Sequence, residues 1–364
     1  MENLLIVTFL LEADYRRNYM RLQRRRLRDS SNPLEIPPRQ FRQLFRFDVD
    51  AVVAFMAEIG PYLKMDGIPK LCKFLATLRF LATGAYQNNI GSCVWSSLSQ
   101  SSISRCIAEV TDAAVCHLFR KYVEFPICAE AQLAVKEGFF DKYEIRGVIG
   151  AIDGTHVEIV APASTNFDDP PHVYINSKGR HSINVMLIVD SNGVITACSA
   201  RMPGSVHDAA IWHMTSIRKL LKRQFEGGVQ RTYLIGDSGY PVEPGLFTPF
   251  HNPQNPNEVR FNTLLTSARN VVERVNGVLK GRFRCLLRHR TLHYNPRRSS
   301  RIISTCCILH NFAARRNMDD VDVTPDAPDA PDPSDPAEHT IQEDRHLLDK
   351  GKEIRNRYLI ENFE

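Results

Sequence analysis

Between residues 41 and 145 apolar side chains recur every third or fourth position, as in FRQLFRFDVDAVVAFMAEIGPYL (41–63) and LCKFLATLRFLATGAY (71–86). That spacing gathers them on one face of a helix. In WSSLSQSSISRCIAEVTDAAVCHLF (95–119), Ser99 reads as an N-cap, with Ile103, Ile107 and Val110 lining the buried face of the helix it starts. Near residue 146 the period shortens. GVIGAIDGTHVEIVAP (147–162), HSINVMLIVDSNGVITACSA (181–200) and RTYLIGDSGYPV (231–242) read as strands, the second folding into a hairpin about Ser191, Asn192 and Gly193. PGSVHDAAIWHMTSIRKLL (203–221) predicts a helix capped by Ser205, and TSARNVVERVNGVLKGRFRCLL (266–287) predicts a longer one. Strand, hairpin, helix, strand and late helices describe an α/β mixed sheet behind an α-helical region.

Composition changes this picture in a few places. With 364 residues, 43% hydrophobic and 24% charged, the chain can fill one large core or two ordinary ones. The pattern divides it into a basic arm (1–40), a helical region (41–145), a sheet domain (146–317), an acidic linker (318–344) and a closing helix (345–364). The first 30 residues are amphipathic or partly disordered. DDVDVTPDAPDAPDPSDPAEHTIQED (319–344) carries ten acids and five prolines, too little apolar surface to fold. LLDKGKEIRNRYLIENF (347–363) regains a helical period and either docks on the body or binds a partner.

The net charge of +5 hides a division: seven arginines lie in 16–28, and seven Lys/Arg face the single acid Glu273 in 269–290. Basic faces with an acidic tail suit a polyanion partner, though solvated surface charge gives the same balance. The nine cysteines have no CxxC and no zinc-finger spacing, and read as reduced, mostly buried thiols. LLIVTFLL (4–11) lacks a preceding basic region and a small-residue cleavage site, so secretion is not expected. No apolar run approaches the roughly 20 residues of a membrane helix.

Chemistry enters at Asp153, an acid inside the apolar run of the first strand. A buried carboxylate is costly unless it is paired or holds a metal. Asp237 ends an apolar strand just before a glycine turn, and Glu273 sits mid-helix among apolar neighbours and arginines. Strand ends and a facing helix can bring the three together. Converging oxygens without a Cys or His cage suit Mg²⁺ or Mn²⁺ rather than zinc. Two such ions about 4 Å apart activate water and stabilise a leaving oxygen in phosphodiester cleavage. Each acid taken alone reads as a salt-bridged or capping carboxylate, except that Gly154 leaves room for close approach to Asp153 and its flanks are strongly apolar.

Six stretches stand in order: GAIDGTH, YINSKGRHSINV, PGSVHDAAIW, LIGDSGYP, ARNVVERVNGVLKGRFRCL and CCILHNF. Together they resemble the DDE nuclease domain of PIF/Harbinger transposases. Upstream, FLATGAYQ, LSQSSISR and FP resemble that family's helical DNA-binding region, and GKEIRNRYLIENF its closing helix. The resemblance runs from about residue 41 to 317 and implies an RNase H-like fold. By motif, Asp153 would bridge two Mg²⁺ or Mn²⁺ ions, Asp237 would hold one and Glu273 the other. The implied activity is a metal-dependent DNA endonuclease, with strand transfer by a freed 3′-hydroxyl as an optional second step. A separate Myb-like partner that helps recognise DNA is implied too, with nuclear residence, a cytoplasmic pool and room for a homo-oligomer. The other reading is a domesticated DNA-binding or assembly protein, since relatives of that kind also keep the acids.

Around this core lie second candidates. His156 either meets the scissile phosphate or is a hydrogen-bonded core histidine. His207 and Asp208 open a helix, where an acid favours the dipole; capping and an accessory catalytic role both fit. Gln100, Ser101, Ser104 and Arg105 at the head of their helix suit a helix-turn-helix recognition element, as they suit a plain capped helix. Lys178 and Arg180 are candidates for DNA-backbone contact. Arg269 and Lys280, on roughly Glu273's helix face, either meet phosphate or pair with the acids. Phosphate contacts of this kind make binding salt-sensitive.

Overall fold

The computed structural model describes residues 2–163, 168–318 and 342–363. The chain divides into two compact units, Met1–His117 and Leu118–Glu364. The acidic linker expected at 318–344 lies almost wholly outside the described residues. No helix among them is long and apolar enough to cross a membrane.

The first unit is helical: α1 (Glu2–Asp29), α2 (Pro38–Phe45), α3 (Val49–Ile59), α4 (Lys70–Thr83), α5 (Gln87–Gly91) and α6 (Gln100–Ala113). The arginine-rich arm is thus mostly one long helix. α4 packs against α2, α5 and α6 and is buried nearly all round. Phe55 stacks on Phe74 with ring centroids 5.2 Å apart. One polar group is fastened into this core. Lys73, with its side chain fully buried, sets Nζ 2.8 Å from Asp66 and 2.8 Å from Glu109, and donates to the Lys64 carbonyl. As the apolar period requires, Ser99 caps α6 by accepting from the Ser102 N–H, and Ile103, Ile107 and Val110 are buried.

The second unit begins earlier than the change of period near residue 146. α7 (Phe119–Tyr122) and α8 (Ala129–Tyr143) belong to it, and α8 packs on β1 (Val148–Glu158). After β1 come the hairpin β2 (Ser182–Val189) and β3 (Ile195–Pro203), then α9 (Asp208–Met214), α10 (Ser216–Glu226), β4 (Tyr233–Ile235) and β5 (Leu246–Phe247). α11 (Pro256–Arg282), α12 (Pro296–Arg315) and α13 (Gln342–Phe363) complete the unit.

The five strands form a mixed sheet in the order β3-β2-β1-β4-β5. The first three are antiparallel, while β1, β4 and β5 run parallel. Gly193 closes the hairpin at φ +80°, a left-handed conformation that glycine adopts without a Cβ penalty. One sheet face, with Ile152, Met186, Ile188 and Leu234, packs against Ile211 and Trp212 of α9 and Leu221 of α10. α8, α11 and α12 also pack on the sheet.

Two helix starts differ from the sequence expectation. Ser205 is not a cap: α9 starts three residues later, after His207. The stretch expected as one helix also breaks at Thr215, whose extended backbone (φ −75°, ψ 145°) ends α9 and whose side chain caps α10. α11 starts at Pro256, ten residues before the expected stretch, because Asn255 caps it through the Glu258 N–H. The His310–Phe312 segment is buried in α12. Asn311, fully buried, bonds both backbone groups of Ile195 and the Tyr122 carbonyl, fixing α12 to β3 and α7. α13 docks on α11 and β5, and its Arg355 donates to the Thr248 carbonyl at 2.7 Å.

Candidate active site

β1 is longer than its parallel neighbour. Its pairing with β4 ends at Ala151 opposite Ile235, whereas its pairing with β2 continues to Glu158. Beyond Ala151 the β4 side of β1 is therefore open, and Asp153 lies two residues past that point. Such a crevice beyond the carboxyl ends of parallel strands, between neighbours whose connections diverge, is where α/β sheets hold their sites.

Asp153 pairs across the antiparallel ladder with Leu187 and reaches toward α11. Its carboxylate accepts from Arg269 Nη1 at 3.2 Å and from Asn276 Nδ2 at 2.8 Å. Burial pushes its pKa up from the ordinary 3.8 to about 7. Arg269 pulls the other way, while Asp237, Asp208 and then Glu273 push it further up. Arg269 also pairs with Glu273, one helical turn along α11, whose side chain is 45% exposed. Asp237, just past β4, accepts from the Gly239 N–H at 3.0 Å in a tight turn. That turn brings Tyr240 back against the acids. It is 4% exposed, and its hydroxyl is raised well above the usual tyrosine range by burial first and then by Asp208, Asp153 and Asp237.

The second candidates lie on several elements. Asp208, the first residue of α9, accepts from Asn184 Nδ2 at 2.8 Å, and His207 before it is exposed. His156, half-buried, sets Nδ1 3.0 Å from Ser182 Oγ, which Asn176 also bonds. Arg180 is ion-paired with Glu158 at 2.8 Å, and Lys178 is exposed. Lys280, seven residues beyond Glu273 on roughly the same helix face, is only 7% exposed, whereas Glu273's side chain is 45% exposed. On α6, Gln100, Ser101 and Arg105 are exposed and Ser104 is half-buried.

Sequence reasoning missed Asn276, Asn184 and Tyr240. The first lies three residues beyond Glu273 on the same helix. The second is the lone amide in the apolar strand SINVMLIV. Tyr240 follows Asp237 in a motif whose aspartate drew the attention.

The donors around Asp153 are all oxygens with a surplus of negative charge, the chemistry of a hard divalent cation. Asn276 Oδ1 and the Tyr240 hydroxyl are buried without a hydrogen-bond partner, as in a polar pocket rather than a core. Yet among the described residues no group of three or more His, Cys, Asp or Glu side chains stands close enough to hold an ion as placed. Arg269 bridges Asp153 and Glu273 instead. The residues fit the ion in chemistry and charge, with Arg269 as the positive charge between them.

A family model for DDE superfamily endonucleases matches residues 152–311, a span that contains all four acids. The protein named "Putative nuclease HARBI1" of Bos taurus is 33% identical over 308 residues, covering 84% of this chain and 84% of that one. Its Homo sapiens counterpart is 32% identical over the same shares. The Arabidopsis thaliana "Protein ALP1-like" is 26% identical over 266 residues, 68% of this chain and 61% of that one. No solved structure matches. With this identity over most of both lengths, and the acids on a five-stranded mixed sheet, the chain belongs to the DDE superfamily endonucleases, within the Harbinger transposase-derived nuclease family.

Proposed function

We propose that this chain is a metal-dependent DNA endonuclease of Harbinger transposase type, built on an RNase H-like sheet. The observation that carries the reading is Asp153: a carboxylate in an apolar strand, at the open edge between two parallel strands, surrounded by three further acids and one arginine. Asp153, Asp237 and Glu273 are the residues that would hold a pair of Mg²⁺ or Mn²⁺ ions. When bound, such ions activate water and stabilise the leaving oxygen of a phosphodiester. The chain's own residues prepare this chemistry. Asn276 orients the Asp153 carboxylate, and Arg269 offsets its charge and lies where a scissile phosphate would meet a guanidinium. Because Asp153 titrates near neutrality, loading the site releases a proton from it.

The exposed Gln100, Ser101 and Arg105 support α6 as the DNA-reading helix of a helix-turn-helix-like region. A Myb-like partner, nuclear residence with a cytoplasmic pool, and strand transfer by the freed 3′-hydroxyl complete the reading. The test is cleavage of supercoiled plasmid and terminal-repeat DNA with Mg²⁺ or Mn²⁺, wild type beside Asp153→Asn. Cutting by wild type alone supports the reading. DNA binding without cutting by either protein would favour a domesticated binding or assembly role.

A further inference from the structure

We propose that the turn carrying Arg288 and Arg290, together with Lys178 and Arg180, clamps the backbone of duplex DNA about five base pairs from the scissile phosphate; the inference rests on the functional reading above. Its place follows from the edges of β1, since the backbone groups of a strand point alternately to its two neighbours. Just past β1 the Ile159 N–H donates to the His181 carbonyl, on the β2 side. On the other side the Leu292 N–H donates to the Glu158 carbonyl at 2.9 Å, and the Val160 N–H to the Leu292 carbonyl at 3.0 Å. Leu292 therefore sits on the edge that β4 leaves open beyond Ala151. The opening that holds Asp153 is thus a window along β1, bounded by β4 at one end and by the Leu292 segment at the other. Glu158 lies five residues beyond Asp153, about 17 Å at the rise of a strand. Each strand of duplex DNA advances about 3.4 Å per nucleotide, so that span covers about five base pairs.

The far end of the window is strongly basic and built. From Arg274 to Met318 the chain has eleven Lys/Arg and no acid. Within this stretch the Arg290 N–H closes a tight turn on the Leu287 carbonyl at 2.8 Å, and Arg288 and Arg290 are exposed. Glu158 ties that turn to the loop before β2. Its carboxylate accepts from Arg180 Nη1 at 2.8 Å and lies 3.8 Å from Arg288 Nε. One acid is thus shared by two guanidiniums whose side chains are 39% and 55% exposed, which leaves N–H donors facing solvent. The loop itself is pinned by buried Asn176, whose Oδ1 accepts from the Lys178 and Arg180 N–H groups at 3.0 and 3.1 Å. Planar guanidiniums on a fixed loop suit phosphate oxygens. Contacts of this kind position the duplex without reading its sequence.

The experiment measures binding of the full chain to a fluorescent duplex of arbitrary sequence by anisotropy, between about 50 and 200 mM salt. Arg288→Gln/Arg290→Gln is expected to weaken binding about tenfold or more and to flatten the log–log salt slope by about two. Lys350→Gln/Arg357→Gln removes the same charge from α13, at the β5 edge of the sheet, and should keep the wild-type slope. An equal loss from both pairs assigns the effect to diffuse surface charge and overturns the proposal. So does a wild-type slope in Arg288→Gln/Arg290→Gln. If that variant melts lower than wild type, Arg288→Lys/Arg290→Lys decides, because it keeps the charge: a restored slope supports phosphate contact, and a flat one overturns it. Neutral methylphosphonate linkages about five nucleotides from the mapped cut should weaken wild type and spare the Gln variant; equal weakening of both overturns the placement. A wild type that binds duplex without cutting it ends the nuclease reading, while the salt slopes still judge the clamp. Cutting by wild type with unchanged slopes in the variant overturns the clamp alone.

Discussion

Asp153 makes the stability of the metal-free protein fall with pH in a window set by its own titration. Its pKa rises from the ordinary 3.8 to about 7 on folding. Between those values the folded chain keeps a proton that the unfolded chain has shed. Stability therefore falls as pH rises from about 4 to 7 and levels off above. The slope is about 1.4 kcal/mol per pH unit, so the ceiling on the loss is about 4 kcal/mol. Asn at this position is neutral at every pH and retains an acceptor for Asn276; the attraction of Arg269 for the ionised carboxylate is already contained in the shift to about 7. Arg269 keeps Glu273 as a partner in the variant. In chelator, the stability difference between Asp153→Asn and wild type should thus shift by about 4 kcal/mol in the variant's favour from pH 4 to pH 8. Urea unfolding at half-unit pH steps measures the difference, in which the other titrating groups cancel. Parallel curves for the two proteins would show that Asp153 is not held near neutrality by its burial.

Two further perturbations test how the units are held. Lys73→Met leaves Glu109 and the Lys64 carbonyl without their cation and should cost about 3 kcal/mol, read as faster hydrogen exchange of the α4 amides; unchanged exchange would mean solvent already shares that triad. Asn311→Ala removes three bonds to buried backbone and should destabilise the sheet unit by about 3–5 kcal/mol, read by urea unfolding; a loss under 1 kcal/mol would assign the α12 dock to apolar packing alone.

The parts legible in the sequence were those that depend on a period or on one contrast. The apolar face of α6 and its Ser99 cap are local, and so is the Asp190–Val194 reversal between β2 and β3. Asp153 stood out because an acid within an apolar run is itself a contrast, and Asp237 because a strand ends there. What failed was set at a distance. Ser205 has the chemistry of a cap, yet its N–H donates to the Val173 carbonyl and the chain does not turn helical until Asp208. Asn276 serves Asp153 through a bond spanning 123 residues, which no window along the chain contains.

The site itself follows from a mismatch in strand length. β1 runs for 11 residues and β4 for three, so the sheet is continuous on one side of β1 and interrupted on the other. A carboxylate at the interruption reaches solvent sideways while its own strand remains fully paired to β2, which holds it rigid. Burial on that rigid strand keeps Asp153 protonated near neutrality; the open edge lets Asp237 and Tyr240 fold back toward it; and the missing Cβ at Gly154 admits Asp208 from behind. Filling the gap by extending β4 would pair the open edge of β1 and exclude the acids, so the shortness of β4 is a condition of the chemistry rather than a defect in the sheet.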